Sequence, residues 1–179
     1  MRIIAGRWRG RVLAAPAGAA TRPTADRVRQ ALFDMLAHAP WGGIAGKRVL
    51  DAFAGTGALG LEALSRGAAG AWFIERDRAA LAALRANIAA LAAEGAIVLA
   101  GDATRPPRAP AACDLVFLDP PYGGDFGPRA VAALGAAGWI APGAVIALEL
   151  GRDEALPALG TMLADRAHGA ARVTVWRAG

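Results

Sequence analysis

The chain has 179 residues, 55% of them hydrophobic and 20% charged, with a formal net charge of +5. That length and composition predict one globular domain with a sizeable core. The single cysteine, Cys113, excludes an intramolecular disulfide. No apolar run approaches the roughly 18 residues that span a bilayer, and the arginine-containing start lacks the apolar core of a secretory signal. We therefore expect a cytoplasmic protein.

Positive charge is concentrated at the N-terminal end. Before position 49 there are nine basic residues against two acidic ones, so the remainder of the chain is slightly negative. A basic segment of this kind is the electrostatic signature of a nucleic-acid site. The predicted contacts are Arg2, Arg7, Trp8, Arg9, Arg11, Arg22, Arg27 and Arg29. Trp8 has two interpretations: it stacks on an unpaired base, or it anchors the segment on the domain.

In chain order, residues 2–5 and 11–14 predict two short strands joined through Gly6 and Gly10. We expect residues 1–20 to form a basic arm or hairpin, followed by a catalytic domain at 21–179. Thr24 or Asp26 is a candidate cap for a helix. Its apolar face would consist of Val28, Leu32, Met35 and Leu36.

A glycine loop follows the first predicted sheet strand. Gly55, Gly57 and Gly60 fit the pattern G-x-G-x-x-G, and a helix is expected to begin near Ala58. Alone this pattern is weak, and it suits either a nicotinamide dinucleotide or S-adenosylmethionine. Asp51, at the strand tip, would repel a pyrophosphate but would pair with the ammonium of a methionine moiety. It therefore favours S-adenosylmethionine; the alternative is that it only caps the turn.

Further carboxylates follow the next two predicted strands. Glu75 ends the apolar run 71–74, at the distance from the glycine loop where an acid accepts both ribose hydroxyls. Asp102 follows the run 97–99 and is placed to accept a hydrogen bond from an adenine amino group. Between them, residues 77–94 predict an amphipathic helix.

The segment Asp119-Pro120-Pro121-Tyr122 ends a short apolar strand at 115–118. Proline lacks a backbone donor, so the carbonyl groups here and the Asp119 carboxylate are free to accept hydrogen bonds. Tyr122 adds a flat face, and together these groups suit a planar ring with an exocyclic amino group. The alternative is a proline turn with an aspartate cap.

After this segment, a weaker helix at 124–137 and strands at 144–150, 161–166 and 172–177 complete the prediction. Alternating strands and helices indicate an α/β fold, with a parallel sheet covered by helices on both faces. His38 and His168 lie far apart and lack metal-ligand spacing, so no metal is expected.

These motifs resemble the class I S-adenosylmethionine-dependent methyltransferases. Within that class the sequence is similar to the bacterial family, often called methyltransferase D, that methylates a guanine N2 in 16S ribosomal RNA. The resemblance rests on residues 1–6, 9–11, 21–33, 49–68 and 117–122. It implies a Rossmann-like, mostly parallel seven-stranded sheet with an antiparallel last strand.

The resemblance also implies the site residues and partners. Catalysis is expected from Asp119, Pro120, Pro121 and Tyr122. The cofactor site is expected to contain Asp51, Phe53, Gly55, Thr56, Gly57, Glu75, Arg76, Asp102, Ala103 and Asp119. The expected cofactor is S-adenosyl-L-methionine, and the partner is ribosomal RNA, either naked or within a small-subunit particle. We expect a monomer.

Three alternatives stay open on the residues alone. An adenine-N6 methyltransferase would use the same four-residue motif, Asp119-Pro120-Pro121-Tyr122, and only the N-terminal resemblance argues for guanine. A protein-glutamine methyltransferase uses a similar motif, usually beginning with Asn. A non-catalytic RNA-binding assembly factor would keep the fold, although the intact carboxylates argue against lost cofactor binding.

Overall fold

The computed structural model describes residues 1–16, 23–121 and 123–179, and the side chains of 23–26 are likewise outside the description. Within these ranges four helices and seven strands are found. The helices are α1 (Pro23–His38), α2 (Ala58–Ser65), α3 (Arg78–Ala90) and α4 (Phe126–Ala136). The strands are β1 (Arg48–Ala52), β2 (Gly70–Glu75), β3 (Ala96–Ala100), β4 (Cys113–Leu118), β5 (Ile140–Gly151), β6 (Thr161–His168) and β7 (Ala171–Arg177).

All seven strands form one sheet in the order β3-β2-β1-β4-β5-β7-β6. The pairs among β1 to β5 are parallel, whereas β7 is antiparallel to both β5 and β6. The Rossmann-like sheet with an antiparallel last strand is therefore confirmed. The strand order reverses at β1 and β4, and such a switch point, at the carboxyl edge of a parallel sheet, is where ligands bind.

Apolar side chains cover both faces of the sheet. Val49 and Leu50 are neighbours on β1 and both are fully buried, because successive strand residues point to opposite faces. One core cluster holds Val49 with α1, α2 and α3; the other holds Leu50 with α4. Between α1 and the sheet, the rings of Phe33 and Phe117 lie 5.5 Å apart. The expected helices on both faces are thus present.

Two predicted helix boundaries are corrected. The helix predicted at 77–94 is α3, which ends at Ala90; Ala92 then takes a left-handed conformation with φ of 45°. Asp77 caps α3 by accepting a hydrogen bond from the Ala80 amide at 2.8 Å. Helix α1 begins at Pro23, so Thr24 and Asp26 lie within its first turn instead of at the cap. Proline suits the first helical position because its missing donor is not needed there.

The N-terminal residues form a hairpin, which we define as residues 1–14. It contains a single antiparallel bridge, between Arg2 and Val12, in place of two extended strands. Ile3 and Leu13 are buried in the main core, whereas Val12 is 75% exposed. The hairpin is therefore packed on the domain. The boundary expected at residue 20 lies outside the described residues.

Buried polar groups on α2 hold the hairpin in place. Glu62 is fully buried and accepts the amides of Ile4 at 2.6 Å and Ala5 at 3.0 Å. Glu62 also accepts a hydrogen bond from the Arg66 side chain at 2.6 Å. A Cβ on Gly6 would lie only 1.9 Å from the Ser65 carbonyl oxygen, so the hairpin approaches α2 as closely as glycine permits.

We expect Glu62→Ala to lower the free energy of unfolding by ~2–4 kcal/mol, because it leaves two partly buried amides and a guanidinium without their acceptor. Urea denaturation measures this loss. The matched control is Glu94→Ala, which removes an exposed glutamate and should change stability by less than ~0.5 kcal/mol. Equal losses in the two variants would show that Glu62 does not anchor the hairpin.

Candidate active site

The parallel sheet brings the predicted carboxylates to one edge. Asp51 lies on β1, Glu75 ends β2, Asp102 follows β3 and Asp119 follows β4. These strands are parallel neighbours, so their carboxyl ends face the same side of the molecule. The structure therefore collects four of the predicted acidic residues around the glycine loop between β1 and α2.

The glycine loop leaves its backbone accessible. Gly55 has φ of 55°, and a Cβ at this position would meet no atom within 4 Å. Gly57 and Gly60 are needed for packing instead, since a Cβ on each would lie 2.4 Å from Leu84 and 2.3 Å from Phe73, respectively. Phe53, just before the loop, has φ of 64°. A strained non-glycine conformation of this kind costs about 1–3 kcal/mol and is typical of functional turns.

Glu75 fixes the loop to β2. One carboxylate oxygen accepts the Gly55 amide at 2.7 Å. The other accepts the amides of Arg76 at 2.7 Å and Asp77 at 2.8 Å. The carboxylate is thus oriented by the protein itself, next to the open backbone at Gly55.

Asp102 is held ionised by its neighbours. The Thr104 amide and hydroxyl donate to one oxygen at 2.8 and 2.7 Å, and the Arg76 guanidinium lies 3.3 Å from the other. The Thr104 bonds are the main cause, and Arg76 a lesser one, of a pKa for Asp102 below its ordinary value. Ala103 is buried beneath this turn.

Asp51 is 1% exposed and accepts the amide of Gly60, in the first turn of α2, at 2.8 Å. Burial raises the pKa of Asp51 well above its ordinary value; the Gly60 bond opposes this, and the charges of Asp119 and Glu75 add to it. The capping interpretation of Asp51 therefore has a contact to support it. A buried acid among other acids is also suited to pair with a cation.

Asp119 shares a small cavity with a carboxylate that the sequence analysis did not single out. Leu118 at the end of β4 pairs with Leu148 of β5, so Asp119, which follows β4, is next to Glu149 of β5. Both line a cavity of about 100 Å³ between the sheet and α1. Glu149 sits near the carboxyl end of the next parallel strand, the same positional rule that picked out the other four acids.

Burial raises the pKa of Asp119 to about 7, and the negative charge of Glu149 adds to the shift. Asp119 lines the cavity and is also exposed to solvent. Pro120 is buried and Pro121 exposed, whereas Tyr122 lies outside the described residues.

Arg29 is corrected from the predicted nucleic-acid surface to this cavity. It is 6% exposed, lines the cavity with Asp119 and Glu149, and donates to the Arg2 carbonyl oxygen at 2.7 Å. A buried guanidinium cannot serve as an outer phosphate contact. No sequence pattern predicts the burial of Arg29, although this residue directly follows the buried Val28 on α1.

The other predicted basic residues are exposed on the surface, except for one that lies outside the described residues. Those exposed are Arg2, Arg7, Arg9, Arg11 and Arg27, and Arg22 is outside the described residues. Trp8 is half-buried against the core, and the Arg7 guanidinium lies 4.0 Å from its ring centroid. This packing favours the anchoring interpretation of Trp8.

Metal-binding clusters and membrane-spanning helices are both absent from the described parts of the chain. These parts contain no group of three or more His, Cys, Asp or Glu side chains that could hold a metal ion. In the same ranges, no helix has the length and apolar character needed to cross a membrane.

The strand order, the antiparallel β7 and the acidic carboxyl edge define a class I methyltransferase. The family model described as Conserved hypothetical protein 95 matches residues 1–177. Ribosomal RNA small subunit methyltransferase D of Escherichia coli K12 is 43% identical over 158 residues, which cover 88% of this chain and 78% of the relative. The chain belongs to this family.

Two further comparisons agree over nearly the whole length. The protein of the same name from Haemophilus influenzae is 38% identical over 176 residues, covering 94% of this chain and 89% of the relative. The solved structure of yhhF from Escherichia coli superimposes with a TM-score of 0.85 at 38% identity, covering 99% of this chain and 97% of that one. The expected family and fold are thereby confirmed.

The raised pKa of Asp119 predicts a pH-dependent penalty on stability. The folded protein holds this proton up to about pH 7, whereas an unfolded aspartate loses it near pH 4, so the penalty grows as pH rises between these values. We expect Asp119→Asn to raise the melting temperature more at about pH 8 than at about pH 4. Asp153→Asn, at an exposed position, is the control and should show equal effects at both pH values. An Asp119→Asn effect that is independent of pH would contradict the assignment.

Proposed function

We propose that this protein transfers a methyl group from S-adenosylmethionine to the exocyclic N2 amine of a guanine in small-subunit (16S) ribosomal RNA. The observation that carries the proposal is the placement of Asp119 beside the glycine loop, because β4 and β1 are hydrogen-bonded neighbours. Asp119, as an acceptor for an amino group, and the glycine loop, as a nucleoside site, then lie at the same edge of the sheet. The names of the curated relatives support small-subunit ribosomal RNA as the substrate.

The residues at this edge fit the methyl donor. The open space at Gly55 admits a nucleoside against the backbone. Glu75 would accept the ribose hydroxyls, Asp102 the adenine amino group, and Asp51 the methionine ammonium. When bound, S-adenosylmethionine supplies a methyl group already activated on a sulfonium, so the protein needs no covalent intermediate.

The Asp119 carboxylate and the Pro120 carbonyl would each accept a hydrogen bond from one N–H group of the target amine. A guanine amino nitrogen is a poor nucleophile because its lone pair is delocalised into the ring. Two fixed acceptors orient the group, favour a pyramidal nitrogen and stabilise the positive charge that develops on it. These donors also favour the ionised carboxylate, which counteracts the raised pKa of Asp119.

The target base must be unpaired or flipped to reach this edge. Tyr122 would hold the ring by stacking, which stays a prediction. The four exposed arginines of the hairpin, Arg2, Arg7, Arg9 and Arg11, would contact phosphates. We place the reaction in the cytoplasm, with a monomer acting on RNA either naked or within the small-subunit particle.

Two substitutions should separate chemistry from cofactor binding. Asp119→Ala should lower kcat roughly 100-fold or more while changing the Kd for S-adenosylmethionine little, because the acceptor acts on the transition state. Glu75→Ala should weaken S-adenosylmethionine binding by ~1–3 kcal/mol by removing charge-assisted bonds. Calorimetric titration and methyl transfer to small-subunit ribosomal RNA measure the two effects.

The exposed Glu94→Ala is the control for both assays and should match the unmodified protein. Full turnover by Asp119→Ala would remove it from the mechanism. Unchanged cofactor affinity in Glu75→Ala would refute its ribose role, and binding of NAD in place of S-adenosylmethionine would overturn the proposed function.

A further inference from the structure

Asn87 is a buried polar residue on α3 that none of the site predictions includes. It is 3% exposed and lies where α3 passes both the hairpin and the glycine loop. Its side-chain oxygen accepts the Ala14 amide at 2.7 Å, and its amino group donates to the Ala14 carbonyl at 3.0 Å. The same amino group donates to the Thr56 carbonyl at 3.0 Å.

The partners of Asn87 belong to two different functional segments. Ala14 ends the hairpin, which carries the exposed arginines, and Thr56 lies in the glycine loop. One amino group with two hydrogens serves both carbonyls, so a shift of either segment changes the geometry of the other bond. A second contact joins the same segments, because the Thr56 hydroxyl donates to the Met1 sulfur at 3.6 Å.

The other anchors of the hairpin differ in this respect. Ser65 bonds to the Trp8 amide at 3.0 Å and the Ala5 carbonyl at 2.6 Å, both within the hairpin. Glu62 likewise contacts the hairpin and Arg66. These residues fix the hairpin to α2, whereas Asn87 contacts the hairpin and the glycine loop at once.

We propose that Asn87 is a positioning residue that couples the glycine loop to the hairpin, so that binding of S-adenosylmethionine stabilises the RNA-contacting segment. The proposal rests on the proposed function, because it requires S-adenosylmethionine to bind at the glycine loop. Coupling between two sites is reciprocal. RNA engaged by the hairpin would therefore strengthen cofactor binding by the same factor.

Amide hydrogen exchange of the full chain tests this with S-adenosylmethionine alone. Saturating cofactor should slow exchange at the hydrogen-bonded hairpin amides of Ile3, Gly10 and Leu13 by about 5-fold or more. In Asn87→Ala the cofactor should still slow exchange in the glycine loop but leave the hairpin unchanged. Ser65→Ala, the matched control, should exchange faster in the hairpin without cofactor yet keep the cofactor-induced slowing.

Asn87→Asp is the second variant, used to separate coupling from folding. It keeps the volume and the acceptor for the Ala14 amide but removes the donor to both the Ala14 and the Thr56 carbonyls, so it should also lose the cofactor effect on the hairpin. Circular dichroism identifies a variant that is unfolded.

Three results would overturn the proposal. One is an unmodified protein whose glycine loop is protected by cofactor while its hairpin is not. Another is a folded Asn87 variant that keeps the full hairpin effect. The third is that calorimetry detects no binding of S-adenosylmethionine to the unmodified protein. This result would contradict the proposed function as well as the coupling, whereas the first two would contradict the coupling alone.

Discussion

Parallel pairing of β1 with both β2 and β4 is the constraint on which the site depends. It brings the ends of three strands to one edge and starts α2 directly above them. Burial at this edge is the main cause of the raised pKa values of Asp51 and Asp119, and the charges of neighbouring carboxylates add to both shifts. Backbone amides stabilise the ionised carboxylates by donating hydrogen bonds to them, as the Gly60 amide does to Asp51.

An edge crowded with acids is suited to a cationic ligand. S-adenosylmethionine, the proposed methyl donor, carries positive charge on its sulfonium and its ammonium, so its binding would relieve repulsion among these carboxylates. A pyrophosphate would add to that repulsion. The same electrostatic argument that favoured S-adenosylmethionine from Asp51 alone is therefore strengthened by Glu149, which adds another carboxylate at the Asp119 cavity.

The hairpin belongs to the same construction. It is fastened through buried acceptors on α2 and through Asn87 on α3, the two helices that pack beside the glycine loop. Its residues Ile3 and Leu13 are buried in the core, and its arginines face solvent. One short segment thus serves both folding and the expected contact with RNA.

The sequence predicts the parallel part of the sheet well because β2 and β4 are short apolar runs followed by an acidic residue, as at Ile74 and Glu75. It predicts the acidic edge for the same reason. It does not reveal the buried roles of Glu62, Asn87 and Arg29, because their partners in the hairpin are 27 to 73 residues away along the chain and no periodicity marks them. The end of α3 is missed because its alanine-rich tail continues a helical pattern past Ala90.

The identity of the methylated base tests the central claim most directly. Nucleosides from small-subunit ribosomal RNA of a deletion strain should be compared by mass spectrometry with those of strains complemented by the unmodified gene or by Asp119→Ala. The account predicts that N2-methylguanosine falls in the deletion strain, returns with the unmodified gene and does not return with Asp119→Ala. An unchanged level of N2-methylguanosine in the deletion strain would contradict it, whether N6-methyladenosine is lost or all methylated nucleosides remain.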